Sequence, residues 1–248
     1  MAHNLTLKLR ILLVLTAVVM FWAFLHDIAV SAQEDNTNNF DEFEEKVSVS
    51  DPLEGFNRVT GTLNDRLYFW VLKPVAVVYG TVLPPGVRRC IANAFDNLRT
   101  PVRFFNNIFQ GKPDNALVEL ERFMINSTLG VGGFFDIAKQ HFGLTKKEED
   151  FGQTLAVYKV KDGPYIVWPI LGPSTARDSV GMAVDFFLDP LNYIVPDFIT
   201  RAEIKSGEMT NYTSMHIGEY EDLKKSALDP YIAVRDAYIQ NRQKKIKE

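Results

Sequence analysis

The chain has 248 residues, 46% of them hydrophobic, with 18 Phe, 9 Tyr and 3 Trp. That composition excludes a disordered or collagen-like polymer and suits one domain with a sizeable buried interior. The formal net charge of -4 lacks the basic balance that nucleic-acid binding brings, so nucleic acid is not expected as a partner.

The N-terminus carries Lys8 and Arg10, an apolar run from Ile11 to Leu25, and small residues in Val30-Ser31-Ala32. The run is shorter than the roughly 20 apolar residues a spanning helix needs, so residues 1–32 read as a signal peptide, with an uncleaved N-terminal anchor as the alternative. Either way the rest of the chain is expected outside the cytoplasm. Residues 33–50 are acidic and polar, and read as a flexible linker. The single cysteine, Cys90, has no partner for an internal disulfide and reads as a small buried side chain on a helix. No cysteine lies near the end of the leader, so the reading gives no N-terminal acyl anchor.

Folding is expected to begin at Asp51-Pro52-Leu53-Glu54, with Asp51 as cap, Pro52 at the first helical position and Glu54 three residues after the cap. Phe56, Val59, Leu63, Leu67 and Trp70 follow at helical spacing. The same start signal recurs at Thr100-Pro101, Asp189-Pro190 and Asp229-Pro230. The pattern predicts helices over 52–71, 86–98, 101–109, 113–125, 174–188 and 229–246, in an all-α domain over 51–248. Val75 to Leu83 is apolar but too short to cross a bilayer, and is expected to be cut off by Lys73-Pro74 and Pro84-Pro85.

Three short stretches are unusually rich in bulky apolar residues: VRFFNNIF (102–109), GGFFDI (132–137) and VDFFLDPLNYIV (184–195). Each by itself reads as core. Together, in an exported helical protein, they also suit helices lying in a membrane interface. Gly130-Val131-Gly132-Gly133 reads as a helix stop that lets backbones approach closely. The stretch from Glu149 to Asp178 holds too many Gly, Pro and aromatic residues for one helix and too few charges for a linker. It reads as a shaped, partly buried connector ending in a capping box of Thr175 and Asp178. The last helix places Tyr231, Val234, Tyr238 and Asn241 along one side and ends in Arg242, Lys244, Lys245 and Lys247, which favour the helix dipole.

Catalytic chemistry finds little support. Beyond the leader, His141 and His216 stand outside any recognisable motif, and no G-x-S-x-G elbow is present. One Cys and two separated His cannot fill a transition-metal shell, and neither metal nor other cofactor is expected. Arg58, Arg99, Arg103, Arg122 and Arg177 sit in apolar or helical surroundings; each reads as a carboxylate partner, or as a fork for lipid phosphate lining a polar passage.

DPLEGFNR (51–58), LKPVA (72–76), NSTLGVGGFFD (126–136), EDFGQTL (149–155), GPY (163–165), LGPSTARD (171–178) and DPYIAVRDAY (229–238) resemble, in order, the MlaA (VacJ) family of the Gram-negative envelope. The resemblance implies a single ring-like helical domain in the inner leaflet of the outer membrane, with interfacial helices around an amphipathic channel. It implies that the protein is not an enzyme. Its implied task is to remove mislocalised phospholipid from the outer leaflet and pass it to a periplasmic lipid-carrier protein, in association with a trimeric porin. Asn57, Arg58, Asn126, Asp150, Tyr165, Arg177 and Asp178 are the residues in or beside these motifs proposed to meet lipid or line the channel. A porin-docking scaffold without transport activity and an exported lipid hydrolase remain as alternatives.

Overall fold

The computed structural model describes residues 51–247, so the expectations for the leader, its cleavage and the acidic linker lie outside the described residues. Helix α1 (Glu54–Leu67) runs through a π-helical turn at Tyr68–Leu72 into α2 (Lys73–Val82). The expected break at Lys73-Pro74 does not occur, and the wide turn explains why. Pro74 has no N–H and its ring crowds the carbonyl four residues earlier, whereas the Lys73 N–H reaches back five residues to Tyr68 and opens the backbone just ahead of the ring. The break expected at Pro84-Pro85 does occur: Leu83 is extended, as a residue before proline prefers. There the direction turns by 118° into α3 (Pro85–Leu98).

Helices α4 (Thr100–Phe109), α5 (Pro113–Thr128), α6 (Ile137–Phe142) and α7 (Phe151–Val157) follow. A two-stranded antiparallel hairpin comes next, β1 (Tyr165–Trp168) with β2 (Gly172–Thr175), in register Tyr165 to Thr175. Then come α8 (Ala176–Leu188), a single turn α9 (Leu191–Ile194), α10 (Phe198–Met215), α11 (Glu219–Ser226) and α12 (Pro230–Lys247). All of these elements fall within one unit of the chain, from which residues 158–160 are set apart. No single described helix is long and apolar enough to cross a membrane.

The predicted helices are present, α8 starting two residues later than expected, and the glycine cluster ends α5 as read. A Cβ on Gly130 would lie 2.2 Å from the Phe135 carbonyl oxygen, and one on Gly133 (φ +93°) would lie 2.5 Å from Asn97 Cβ. Two cap expectations are corrected. Asp51 does not cap α1, because its carboxylate takes bonds from Asn57 and Tyr231. Thr100 lies inside α4, where its hydroxyl accepts from Arg103 Nη2 at 3.1 Å. Cys90 is on a helix as expected, but half-buried.

The largest departure is α10, an 18-residue helix that the sequence reading left out. Its start is capped by Asp197, which accepts from the Thr200 N–H at 2.7 Å. It has no continuous apolar stripe, and its inner face is polar: Tyr79 donates to Asn211 at 3.0 Å, and Arg88 to the Ser214 carbonyl at 2.7 Å.

That inversion runs through the fold. In α4, Arg103, Asn106 and Asn107 are buried while Phe105 and Ile108 are exposed. In α5, Glu119, Arg122 and Asn126 face inward and Leu117, Leu120, Phe123 and Met124 face outward. The stripe of Phe56, Val59, Leu63, Leu67 and Trp70 that marks α1 as a helix is its outer face, with Trp70 75% exposed and Asn57 fully buried. Among the described residues, buried polar and charged side chains outnumber buried apolar ones more than two to one. Reading the Phe-rich stretches as core is therefore overturned for most of their bulky residues: Phe105, Phe134, Phe135, Phe186, Phe187, Tyr193 and Ile194 are exposed, while Leu191 is buried.

Candidate functional site: a polar interior within an apolar exterior

Polar groups removed from water must find partners, and here they do so in three knots. The first joins α1 to the hairpin. Asn57 donates to the Tyr165 carbonyl at 2.9 Å and accepts from the Val167 N–H at 2.8 Å, which is the bond pair a neighbouring strand would make. Two turns on, Asn64 repeats this with the Trp168 carbonyl (2.9 Å) and the Ile170 N–H (2.7 Å). The two amides thus cover the open edge of β1. Strand alternation buries Tyr165 and Val167 against Ile239, Tyr231 and Tyr238 of α12. Beside this knot, Arg58 pairs with Asp229 at 2.8 Å and lies 4.5 Å from the Tyr231 ring centre.

The second knot gathers both ends of the Glu149 to Asp178 stretch. That stretch, read as a shaped, partly buried connector, is a helix, a hairpin and a helix start. Asp150 caps α7, accepting from the Gln153 N–H at 2.9 Å. Thr175 caps α8, accepting from the Asp178 N–H at 3.1 Å, so half of the expected capping box is made. The Asp178 carboxylate turns elsewhere: Arg242 reaches its two oxygens at 2.8 and 3.0 Å, and the Tyr238 hydroxyl donates at 2.7 Å. The same Arg242 guanidinium bonds Asp150 at 2.5 and 2.9 Å. Arg177 pairs with both Asp162 and Asp178.

Burial pushes the Asp178 carboxyl upward, but the bonds from Arg242 and Tyr238 outweigh it and hold the group below the ordinary aspartate range. Room for this clasp comes from Gly152, where a Cβ would lie 2.5 Å from Asp178 and 2.6 Å from Arg242. Across from it, a Cβ on Gly181 would lie 2.4 Å from the Gly152 nitrogen, so α7 and α8 cross at backbone contact. Gly152 thus makes a vacancy rather than a bend, whereas Gly163 (φ +68°) and Gly172 (φ +84°) bend the chain.

The third knot holds α5 against α6. Asn126 donates to Asp136 at 3.0 Å and accepts from the Ala138 N–H at 2.9 Å, while Arg122 donates to Asp136 at 3.2 Å. Deeper in, Arg103 meets Glu119 at 2.6 Å. Each of the five arginines singled out in the sequence thus pairs with a carboxylate, Arg99 doing so with Glu208 at 2.8 Å.

Of the seven proposed site residues, the fold brings Asp150, Arg177 and Asp178 into one cluster and Asn57 and Tyr165 into another with Arg58 beside them; Asn126 stands apart. Sequence reasoning missed Arg242, which it took only for part of a basic helix end. The signal was there, because Arg242 follows Tyr238 by four residues on the same face. It also missed Asp185, which accepts from the Phe151 N–H at 3.0 Å and Asn106 at 2.8 Å. Burial drives the Asp185 carboxyl up to about 6, against these bonds.

A raised carboxyl favours the folded state at low pH and loses that contribution as pH rises through its folded value. Asp185→Asn should therefore gain stability relative to the parent between about pH 4 and pH 6, by on the order of 2–3 kcal/mol across the window. Chemical unfolding of both proteins in detergent across that range checks this; a difference independent of pH would show an ordinary carboxyl. Among the described residues, no group of three or more His, Cys, Asp or Glu side chains is placed to hold a metal ion. His216 is stacked on Tyr212 with ring centres 4.0 Å apart.

Comparison with known proteins agrees with this architecture. The MlaA lipoprotein family model matches residues 49–245. The intermembrane phospholipid transport system lipoprotein MlaA of Escherichia coli is 35% identical over 195 residues, 77% of this chain and 76% of that protein. The Haemophilus influenzae protein of the same name is 35% identical over 206 residues, 80% of each chain. An uncharacterised Rickettsia conorii protein is 33% identical over 238 residues, 95% of this chain and 94% of its own. A solved structure described as a basis for maintenance of bacterial outer membrane lipid asymmetry superposes with a TM-score of 0.67 at 33% identity, covering 79% of this chain and 99% of its own. A matched family model over most of the chain, relatives similar over three quarters or more of their length and a shared fold agree that this chain belongs to the MlaA lipoprotein family.

Proposed function

We propose that this protein draws mislocalised phospholipid from the outer leaflet of the outer membrane through an amphipathic channel and hands it to a periplasmic carrier, maintaining lipid asymmetry. The observation that carries this reading is the inversion of the fold. Soluble monomers rarely expose contiguous apolar patches beyond a few hundred Å², yet here helix after helix turns Phe, Leu, Val and Trp outward over a hydrogen-bonded polar interior. Such a surface suits acyl chains, and a polar interior offers a headgroup a path through hydrocarbon that otherwise costs several kcal/mol. The names of its relatives point the same way.

In this reading the helices lie at the periplasmic face of the outer membrane as a ring, and a trimeric porin shares the apolar exterior. Asn57, Arg58, Asn126, Asp150, Tyr165, Arg177 and Asp178 hold the channel wall in shape. The protein acts as a conduit, so replacing His141 and His216 together should leave transfer intact. The test is purification from envelopes in mild detergent with assay of bound phospholipid, together with deletion and measurement of outer-leaflet phospholipid. Bound phospholipid and a rise in the outer leaflet are expected; lipid-free protein and an unchanged leaflet would overturn the reading.

A further inference from the structure

Away from the Arg242 clasp, a half-open cavity of about 460 Å³ lies between α3, α5, the start of α6, the segment after it, and the end of α12. Four cations line it, Arg122, Lys139, Lys146 and Lys245, together with the carboxylates of Asp96, Asp136 and Glu148. The carboxylates are already matched. Asp136 is held by Arg122, Asp96 by Lys146 at 2.9 Å, and Glu148 by Lys146 at 2.7 Å and Lys245 at 3.0 Å. Lys139 has no ion-pair partner among the described residues and stands exposed at the wall.

A second observation points inward. Arg122 is only 3% exposed, and although its two terminal nitrogens bond the Leu144 carbonyl and Asp136, its Nε–H has no acceptor. A buried guanidinium donor left without a partner is rare in a native interior, and here it belongs to a side chain that lines a cavity with surplus positive charge.

We propose that this cavity binds a phosphate group, with Lys139 at its wall and Arg122 at its base. Phosphate offers several charged acceptors to the one spare Nε–H of Arg122 and to the unpaired Lys139 ammonium, and the cavity lies within the range of small-ligand sites, leaving room for a glycerol or small headgroup beside it. The inference rests on the lipid-transfer reading insofar as the phosphate is that of a phospholipid passing through, for which the cavity is a polar resting place at the end of α12.

The test is calorimetric titration of the full chain in uncharged detergent with inorganic phosphate, glycerol 3-phosphate and short-chain phosphatidylglycerol. Saturable binding of at least one is expected, weakened about tenfold in Lys139→Glu and restored in Lys139→Arg, the loss of one charged contact. Because Lys139 is exposed and unpaired, neither change threatens folding, which thermal unfolding verifies. Tighter binding of the lipid than of inorganic phosphate supports a headgroup site, and equal binding supports a site for the phosphate alone. No saturable binding of any of the three, or equal binding by Lys139→Glu, overturns the proposal. A cavity that takes phosphate in a protein that moves no phospholipid would leave this site standing and remove the proposed function; transfer without phosphate binding would do the reverse.

Discussion

Replacing Arg242 with methionine is expected to cost about 3 kcal/mol, near the lower end of the range for breaking a buried charge pair. The cost arises from what is left behind. Asp178, with a side chain 6% exposed, loses its bidentate partner, and Asp150 loses the two bonds that tie the start of α7 to α12. Methionine keeps most of the stem volume, so the effect reports charge and hydrogen bonding rather than a cavity. For a domain of this size the thermal midpoint should fall by roughly 6–12 °C.

The pH dependence gives an independent check. In the parent, Asp178 is held below its ordinary range, so its contribution is present above about pH 4 and lost as pH falls through the folded value. Without Arg242 burial prevails, and the variant should lose less on acidification than the parent does. Adding Asp178→Asn to Arg242→Met should recover part of the loss. An unchanged midpoint in the single variant would show that α12 is held by the Tyr165, Tyr231 and Tyr238 packing alone.

The second large effect is on the membrane side. Changing Phe186 and Phe187 together to glutamine should leave unfolding in detergent nearly unaltered and sharply reduce retained phospholipid. The rings are 53% and 66% exposed, and the ring packing they share is chiefly with each other, at 5.7 Å between centres. The Phe186 and Phe187 carbonyls that accept from Asn192 and Tyr193 stay in place. In an acyl-chain environment each ring contributes about 1.5–3 kcal/mol, so the pair sets partitioning by a hundredfold or more. Phospholipid per protein after detergent exchange is the measurement. A collapse of the midpoint with lipid content unchanged would place these rings in an interface with another protein chain instead.

Both predictions depend on orientation, which helical periodicity alone does not supply. A stripe such as Phe56, Val59, Leu63, Leu67 and Trp70 shows that a segment is an amphipathic helix, but not which side meets solvent, lipid or core. The resemblance implied a membrane setting, yet each Phe-rich stretch taken by itself still read as core. The opposite face decides the matter: Asn57, Thr60 and Asn64 on α1 have partners at strand-edge and helix positions more than a hundred residues away or within one turn. Helix α10 escaped notice for a related reason, since a helix whose inner contacts are Asn211 and Ser214 shows no apolar period to detect.

By itself the sequence determined the helical class, most of the helix starts that proline and capping residues mark, the glycine stop after α5 and the family. These depend on local sterics and on short ordered motifs, which a linear reading contains. Tertiary structure alone decided that the polar faces point inward, that Pro74 is absorbed by a π turn, and that Arg242 bridges Asp150 and Asp178 across 92 and 64 residues of chain. A guanidinium acquires its role from whichever carboxylates the fold brings within about 3 Å, and that distance is a property of packed helices rather than of neighbouring letters.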